Sequence, residues 1–407
     1  MIKQKGMVLE ILIVLLTILM SKTVYFGIIN RSFTMVFLTA LLTLIILKKR
    51  TQISKKALKT VLSMVYVLLL GIVAHFSDLT IDYLIVEIGF IVLILEMAIV
   101  VNYIKKDLYS KIYVNIMTII SIVSLVYFSI SINFPHLVNI LAERVQVGNT
   151  TFIISPFYTW GYDSFIYPRN AGPFWEPGAF QGFILVALIM LLFYKDNIKM
   201  YRGKLIILTA TILTTQSTTG YILLGLVFMI FWSDILKLFS GKRNALNSLK
   251  TMLVFPILSL ILIYGVFFII NSETINNKFD DDNISFNARS NDIYNSLVLI
   301  SEKPLFGYGS GKEKLIRESS AGIENNSVGL LTLIYTYGLI FFAVYSYKFK
   351  RGLDSIFPFK NKIKRLGIYV IFSILFMAQG LYYLPVFILF LFEWPDVTNE
   401  NIGNNHS

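Results

Sequence analysis

The residues best placed to do chemistry lie in one run, Arg169-Asn170-Ala171-Gly172-Pro173-Phe174-Trp175-Glu176-Pro177-Gly178-Ala179-Phe180-Gln181-Gly182, which leads straight into an apolar segment, Phe183 to Tyr194. Arginine keeps its charge and presents a planar fork of donors that matches phosphate oxygens. Glu176 stands before Pro177, and proline suits the first turn of a helix, so a carboxylate is expected at a helix N-terminus. There the helix dipole and a nearby arginine favour the ionised form, which can accept a proton but is a weaker base for it. Two plainer readings stand beside this one: Arg169 paired with Glu176 as a structural ion pair, and Glu176 as a helix cap. Arg289 raises the same choice, since Asp292 lies one turn on.

Other chemistries are poorly served. The chain has no cysteine, and His75, His136 and His406 have no metal-ligand spacing. Gly307 to Lys312 is not spaced as a Walker A loop, and no Ser or Thr follows Lys312. Asp280-Asp281-Asp282 lacks the turn and the later carboxylate of a calcium loop, so it reads as a solvated charge run. Glu87 and Glu96 fall inside one apolar segment on opposite helix faces; each is within about two turns of an end and is expected to reach the interface. No metal and no cofactor is expected.

The elements that must position these residues are membrane helices. Of the 407 residues 56% are hydrophobic and only 15% charged, and the mean hydropathy is +0.70. Apolar blocks match the length needed to cross a hydrocarbon core of about 30 Å. The expected fold is an all-α polytopic membrane protein, 1–407 forming one integral membrane domain of about twelve spans. These are roughly 8–21, 33–47, 58–75, 81–102, 112–132, 178–194, 205–215, 219–236, 251–270, 327–347, 367–380 and 382–394. The start resembles a signal peptide without a small-residue cleavage site; Lys22 interrupts it, and it reads as a retained first span.

The net charge of +12 is no nucleic-acid stripe, because the basic residues cluster in short loops between alternate spans. By the positive-inside rule those loops, and both termini, are cytoplasmic. Two long loops, 133–177 and 271–326, are then extracytoplasmic, the first carrying Arg169 and Glu176, the second Arg289. The first is rich in aromatics, including Phe152, Phe157, Tyr158, Trp160, Tyr162, Phe165, Tyr167, Phe174 and Trp175. They form either an interfacial belt or a platform for sugar rings. In the second, Ile293, Leu297 and Ile300 recur with helical period and predict an amphipathic helix over 290–301, lying on the membrane surface.

The run from Arg169 to Gly178 resembles the Arg…Gly-x-Phe-x-Glu-Pro segment of Wzy-type O-antigen and capsular polysaccharide polymerases. Gln216-Ser217-Thr218-Thr219-Gly220 resembles the Ser-Thr-Gly turn of that family. Arg289 with Pro304-Leu305-Phe306-Gly307-Tyr308-Gly309 resembles a segment shared by the polymerases and the O-antigen ligases. Asn325-Asn326-Ser327 resembles the His-Asn-Ser stretch of the ligases. The resemblance covers 169–340, its motifs in order. It implies a metal-independent inverting glycosyltransferase at the outer face of the bacterial cytoplasmic membrane, handing a growing glycan from undecaprenyl pyrophosphate to the non-reducing end of a lipid-linked repeat unit. Arg169 and Arg289 would hold the donor pyrophosphate, Glu176 would act as base, and Trp175, Tyr308, Asn325 and Asn326 would contact substrate. The ligases' catalytic histidine position is Asn325 here, and Asn cannot act as a base, which counts against ligase activity. Lacking a separate globular domain, the chain would need a partner for chain-length control and a flippase to supply substrate. A flippase or other transporter is the reading from another class; it would line a central cavity with charge.

Overall fold

The computed structural model describes residues 2–49, 53–76, 79–147, 150–160, 169–194, 198–240, 284–310 and 328–395. The chain runs as α1 (Ile2–Met20), a π-helical turn (Val24–Ile29), α2 (Arg31–Lys49), α3 (Lys55–Ala74), α4 (Ile81–Tyr103), α5 (Lys106–Asn133) and α6 (Pro135–Leu141). A small sheet follows, β1 (Glu143–Val147), β2 (Thr150–Ser155) and β3 (Tyr158–Trp160), then α7 (Pro177–Phe193), α8 (Ile198–Thr214), α9 (Thr218–Ile230) and α10 (Trp232–Ser240). The last elements are α11 (Ile284–Glu302), α12 (Gly329–Ile356), α13 (Lys362–Ala378) and α14 (Pro385–Ile388). Helices α3, α4, α5 and α12 are long and apolar enough to cross a membrane, and α1, α2, α7 and α9 contain shorter apolar helices. The protein is mostly helical and of multi-pass membrane type.

Helix α7 is the central element. Every residue from Gly178 to Leu192 is buried, as expected of a helix that is apolar all round, and it packs against α5, α8 and α9. Phe174, Phe180 and Phe183 stack at its start. Helix starts carry side-chain caps where the sequence supplies them: Ser54 for α3, Thr80 for α4, Ser217 for α9 and Asn361 for α13.

Three expectations change. The stretch 219–236 is divided at Phe231 into α9 and α10. The stretch 382–394 is not a continuous helix: it holds only α14 and a 3₁₀ turn (Leu389–Leu391) before extending at Phe392. It reads as a span because it is apolar, but protein rather than lipid buries it. The Phe390 carbonyl packs onto Gly352, whose α-carbon admits no Cβ there, and Leu384 to Phe392 are all buried. The third is α12, which is broken at Gly338, with φ 81° and ψ 170°. The stretch 251–270 lies outside the described residues.

The two ends of the bundle differ. At one, lysines and arginines meet helix ends and carboxylates: Lys106 donates to the Ser355 carbonyl, Arg351 pairs with Glu393 at 2.9 Å, Lys56 lies 3.9 Å from Glu393, and Lys364 pairs with Asp234. At the other, backbone, aromatic and polar contacts join the elements. Thr23 bridges Phe174, the Trp160 indole donates to Ser131, and His75 faces the Phe306 carbonyl.

Candidate functional site

At this second end the N-termini of three helices converge on the first turn of α7. Gly178 packs so closely on Gln379, just past α13, that a Cβ would fall 2.5 Å from its Nε2. Gly329, the first residue of α12, lies against the backbone of the same Gln379, 2.4 Å from where its Cβ would be. One turn into α7, the Gln181 amide abuts Gly220 in the first turn of α9. Gln181 is 2% exposed, and neither amide atom has a hydrogen-bond partner among the described residues. Helix N-termini carry partial positive charge and unpaired N–H groups, so their convergence makes this end attractive to an anion.

Arg169 is positioned by the turn between α8 and α9. Its Nε donates to the Thr215 carbonyl at 3.2 Å and Nη2 to the Gln216 carbonyl at 3.1 Å. Next door, Asn170 is wholly buried: its N–H donates to the Thr214 carbonyl, its amide to Ser124 and Thr214 hydroxyls, and its Oδ1 accepts from Gly172 N–H. Gln216 adopts φ 48°, a conformation open to few side chains. A guanidinium is thereby fixed beside the N-terminus of α9.

Glu176 occupies the N-cap position of α7, but its side chain makes no capping bond. Oε1 accepts instead from the indole N–H of Trp175 at 2.9 Å. The carboxylate is thus held at the helix end by a neighbour, half-exposed. Over the Trp175 ring stands the ammonium of Lys22, 5.4 Å from its centroid. Lys22 also lies 4.6 Å from the Tyr383 ring centroid and donates to that phenol. Lys22 arrives because the chain leaving α1 pairs with the Arg169–Glu176 run: Val24 N–H donates to the Pro173 carbonyl at 2.8 Å.

The second arginine segment lies across the broken helix. The N–H groups of Tyr308 and Gly309 donate to the Tyr335 and Thr336 carbonyls before the break, and those of Leu339 and Ile340 after it donate to Pro304 and Leu305. Four backbone groups around the break at Gly338 are therefore met by the turn that follows α11, as burial requires. The half of α12 before Gly338 bridges Gln379, beside α7, and this turn, beside His75 at the end of α3. Ser310 donates to Glu87 at 2.7 Å and anchors the turn to α4.

Glu87 and Glu96 do not reach the interface. They are 1% and 4% exposed, Glu87 held by Ser310 and Glu96 by Thr39 of α2; their opposite faces serve separate tethers, with no shared path. Helix α11 exceeds the expected 290–301. It turns Asp292, Ser296 and Leu299 to the protein and leaves Ile293 and Leu297 exposed, with Ile300 half-buried. Of the aromatics, Tyr158, Trp160 and Phe174 are core residues, the first two packed with Tyr127 under the sheet; they offer no sugar platform. Tyr162, Phe165 and Tyr167 lie outside the described residues.

Trp175 and Glu176 are therefore brought together with Lys22 and Tyr383, and Arg169 stands on the α8–α9 turn, just before the Gly220 that meets Gln181. Tyr308 is half-buried beyond the first half of α12, donating to Glu302 and lying under Lys303 at 4.5 Å. Burial and the adjacent Glu302 push its phenol up to about 12. Arg289 falls within α11, but its side chain lies outside the described residues, as do Asn325 and Asn326. Asn325 and Asn326 directly precede Val328 and Gly329. Lys22 escapes notice in the sequence because it reads only as the stop to an apolar run; the available signal is a lysine that falls outside the cytoplasmic clusters of the charge pattern. Among the described residues no group of three or more His, Asp or Glu could hold a metal.

A family model, Wzy_C, described as O-antigen ligase, matches residues 204–345. The match takes in the α8–α9 turn, α11, the turn after it and the break at Gly338, and is consistent with the O-antigen polymerase/ligase superfamily. No curated protein matches the chain. At family level the match supports a membrane enzyme related to polysaccharide assembly.

Proposed function

We propose that the chain is a polysaccharide polymerase that passes a growing glycan from undecaprenyl pyrophosphate to the non-reducing end of a lipid-linked repeat unit. The observation that carries this is the meeting of Arg169, Glu176 and three helix N-termini at one end of the bundle, with two of those N-termini, of α9 and α12, inside the matched segment. The acceptor hydroxyl oxygen attacks the anomeric carbon while the bond from that carbon to the pyrophosphate breaks, its electron pair leaving with the pyrophosphate oxygen. The configuration inverts, and the hydroxyl proton passes to Glu176. Arg169, joined by Arg289, and the N-termini meet the charge that grows on the leaving group; a single such fixed donor is worth about 2.7–4 kcal/mol of barrier. Trp175, Tyr308, Asn325 and Asn326 contact the sugars and lipid headgroup. Such a reaction asks no metal or cofactor of the site.

In this reading the basic end faces the cytoplasm with both chain termini and the site opens on the outer face of the cytoplasmic membrane, in loops 133–177 and 271–326 of a chain that crosses it repeatedly. A chain-length regulator and a flippase are the expected partners. Ligase activity is the second reading, favoured by the description of the matching family; Asn325 argues against it.

The test supplies purified protein with lipid-linked repeat units and separates the products by size. The expected result is a ladder, lost in Arg169→Ala and Arg289→Ala and unchanged by chelator. Transfer of one preformed glycan to a lipid A acceptor, without a ladder, would make the protein a ligase. Units moved across a vesicle membrane without any new bond would make it a transporter.

A further inference from the structure

Lys22 breaks a local rule. It follows α1 at φ 60°, the left-handed conformation at which helices commonly end on glycine because a side chain there is strained. The π-helical turn clamps it: a Cβ on Gly27 would lie 2.5 Å from the Leu19 carbonyl and 2.9 Å from the Lys22 nitrogen. The ammonium has three donors, and among the described residues its hydrogen-bond acceptor is the Tyr383 phenol. The Trp175 and Tyr383 rings flank it, and Trp175 in turn holds Glu176. Strain kept at a charged residue next to a reactive carboxylate points to use of the charge.

We propose that Lys22 is a substrate-binding residue that holds an anionic oxygen group of the substrate over Trp175, next to Glu176. This rests on the site assigned above and names a recognition element within it. Two sources supply such a group: the pyrophosphate of the lipid and the carboxylate of an acidic sugar. A flat indole and a flat phenol present apolar faces that suit either a sugar ring or a prenyl-linked headgroup. Two ammonium protons beyond the Tyr383 bond give the polar end its contact.

The experiment measures binding to the purified full chain in detergent by calorimetry, with farnesyl pyrophosphate and with a glucuronic-acid disaccharide as probes. It compares wild type, Lys22→Met, Lys22→Arg and Lys22→Gly, and records each variant's melting temperature. Lys22→Met is expected to weaken one probe about tenfold, with the other unchanged, and the affected probe identifies the source. Lys22→Arg should stay within about threefold. Lys22→Gly should lose binding as Lys22→Met does while its melting temperature holds or rises, since glycine relieves the strain. A merely structural Lys22–Tyr383 tether would instead lower the melting temperature of Lys22→Gly and leave affinity intact. That result overturns the proposal, as does wild-type protein that binds neither probe at millimolar concentration. A ladder of products with binding indifferent to Lys22 sinks this proposal alone; Lys22-dependent binding without glycan transfer sinks the polymerase reading alone.

Discussion

The two ends of this bundle are built from different kinds of interaction. At the basic end, charges are spent on each other and on helix C-termini: Lys364 with Asp234, Arg351 with Glu393, Lys106 on the carbonyl of Ser355. At the other end Arg169 binds main-chain carbonyls of a turn, Lys22 binds a phenol, and Glu176 accepts from an indole. Main-chain carbonyls, a phenol and an indole fix where these charged groups stand. An end whose cations and carboxylate are positioned by backbone and aromatic groups is suited to meet an anionic substrate, whereas the ion pairs of the basic end serve topology and stability.

This contrast can be broken experimentally, and the largest effect should fall on the frame of the polar end. Gly338→Ala places a Cβ 2.1 Å from the Leu305 carbonyl at φ 81°, so folded protein should be lost, read as failure to recover monodisperse protein from membranes. Wild-type yield from this variant would mean the break in α12 is not required. Next, Arg169→Ala should lower glycan transfer about 10²–10³-fold, with Arg169→Lys recovering little because an ammonium cannot reproduce the fork over two carbonyls. Glu87→Ala removes the acceptor for Ser310 and should cost about 1–3 kcal/mol in thermal or denaturant unfolding, and Glu87→Gln much less. Lys364→Ala, at the basic end, should cost about 1 kcal/mol or less and leave transfer at the wild-type rate; a large drop in rate would blur the contrast between the ends. The smallest effect concerns pH. Tyr308 is raised in the folded protein to about 12. Its contribution to stability is therefore complete below the unfolded value of about 10 and lost as pH rises towards 12, so over that window the unfolding free energy should fall more in wild type than in Tyr308→Phe, which has no phenol to ionise.

Much of the fold is legible because hydropathy and charge pattern are direct physical constraints. Spans such as 58–75, 81–102 and 112–132 become α3, α4 and α5 with small changes at their ends. The failure at 382–394 is instructive: an apolar run reports that a segment avoids water, and a groove lined by Phe349, Phe372 and Gly352 satisfies that as well as lipid does. Glu87 and Glu96 were misjudged for a related reason, since distance from a helix end does not reveal that Ser310 or Thr39 stands opposite. The aromatic run before α7 could not be sorted by sequence, because Tyr158, Trp160 and Trp175 are alike in composition and differ only in what covers them.

By itself the sequence determined the class of protein, the polarity of its charge pattern and the run in which Arg169 and Glu176 stand, for these depend on local composition, helix period and turn chemistry. The tertiary structure alone decided that α7 is the buried axis and that the starts of α9 and α12 meet it. It also decided that Lys22, remote in the chain, stands over Trp175. Those contacts join residues remote in the chain, and they depend on close approaches at Gly178, Gly220 and Gly329 that no local pattern encodes.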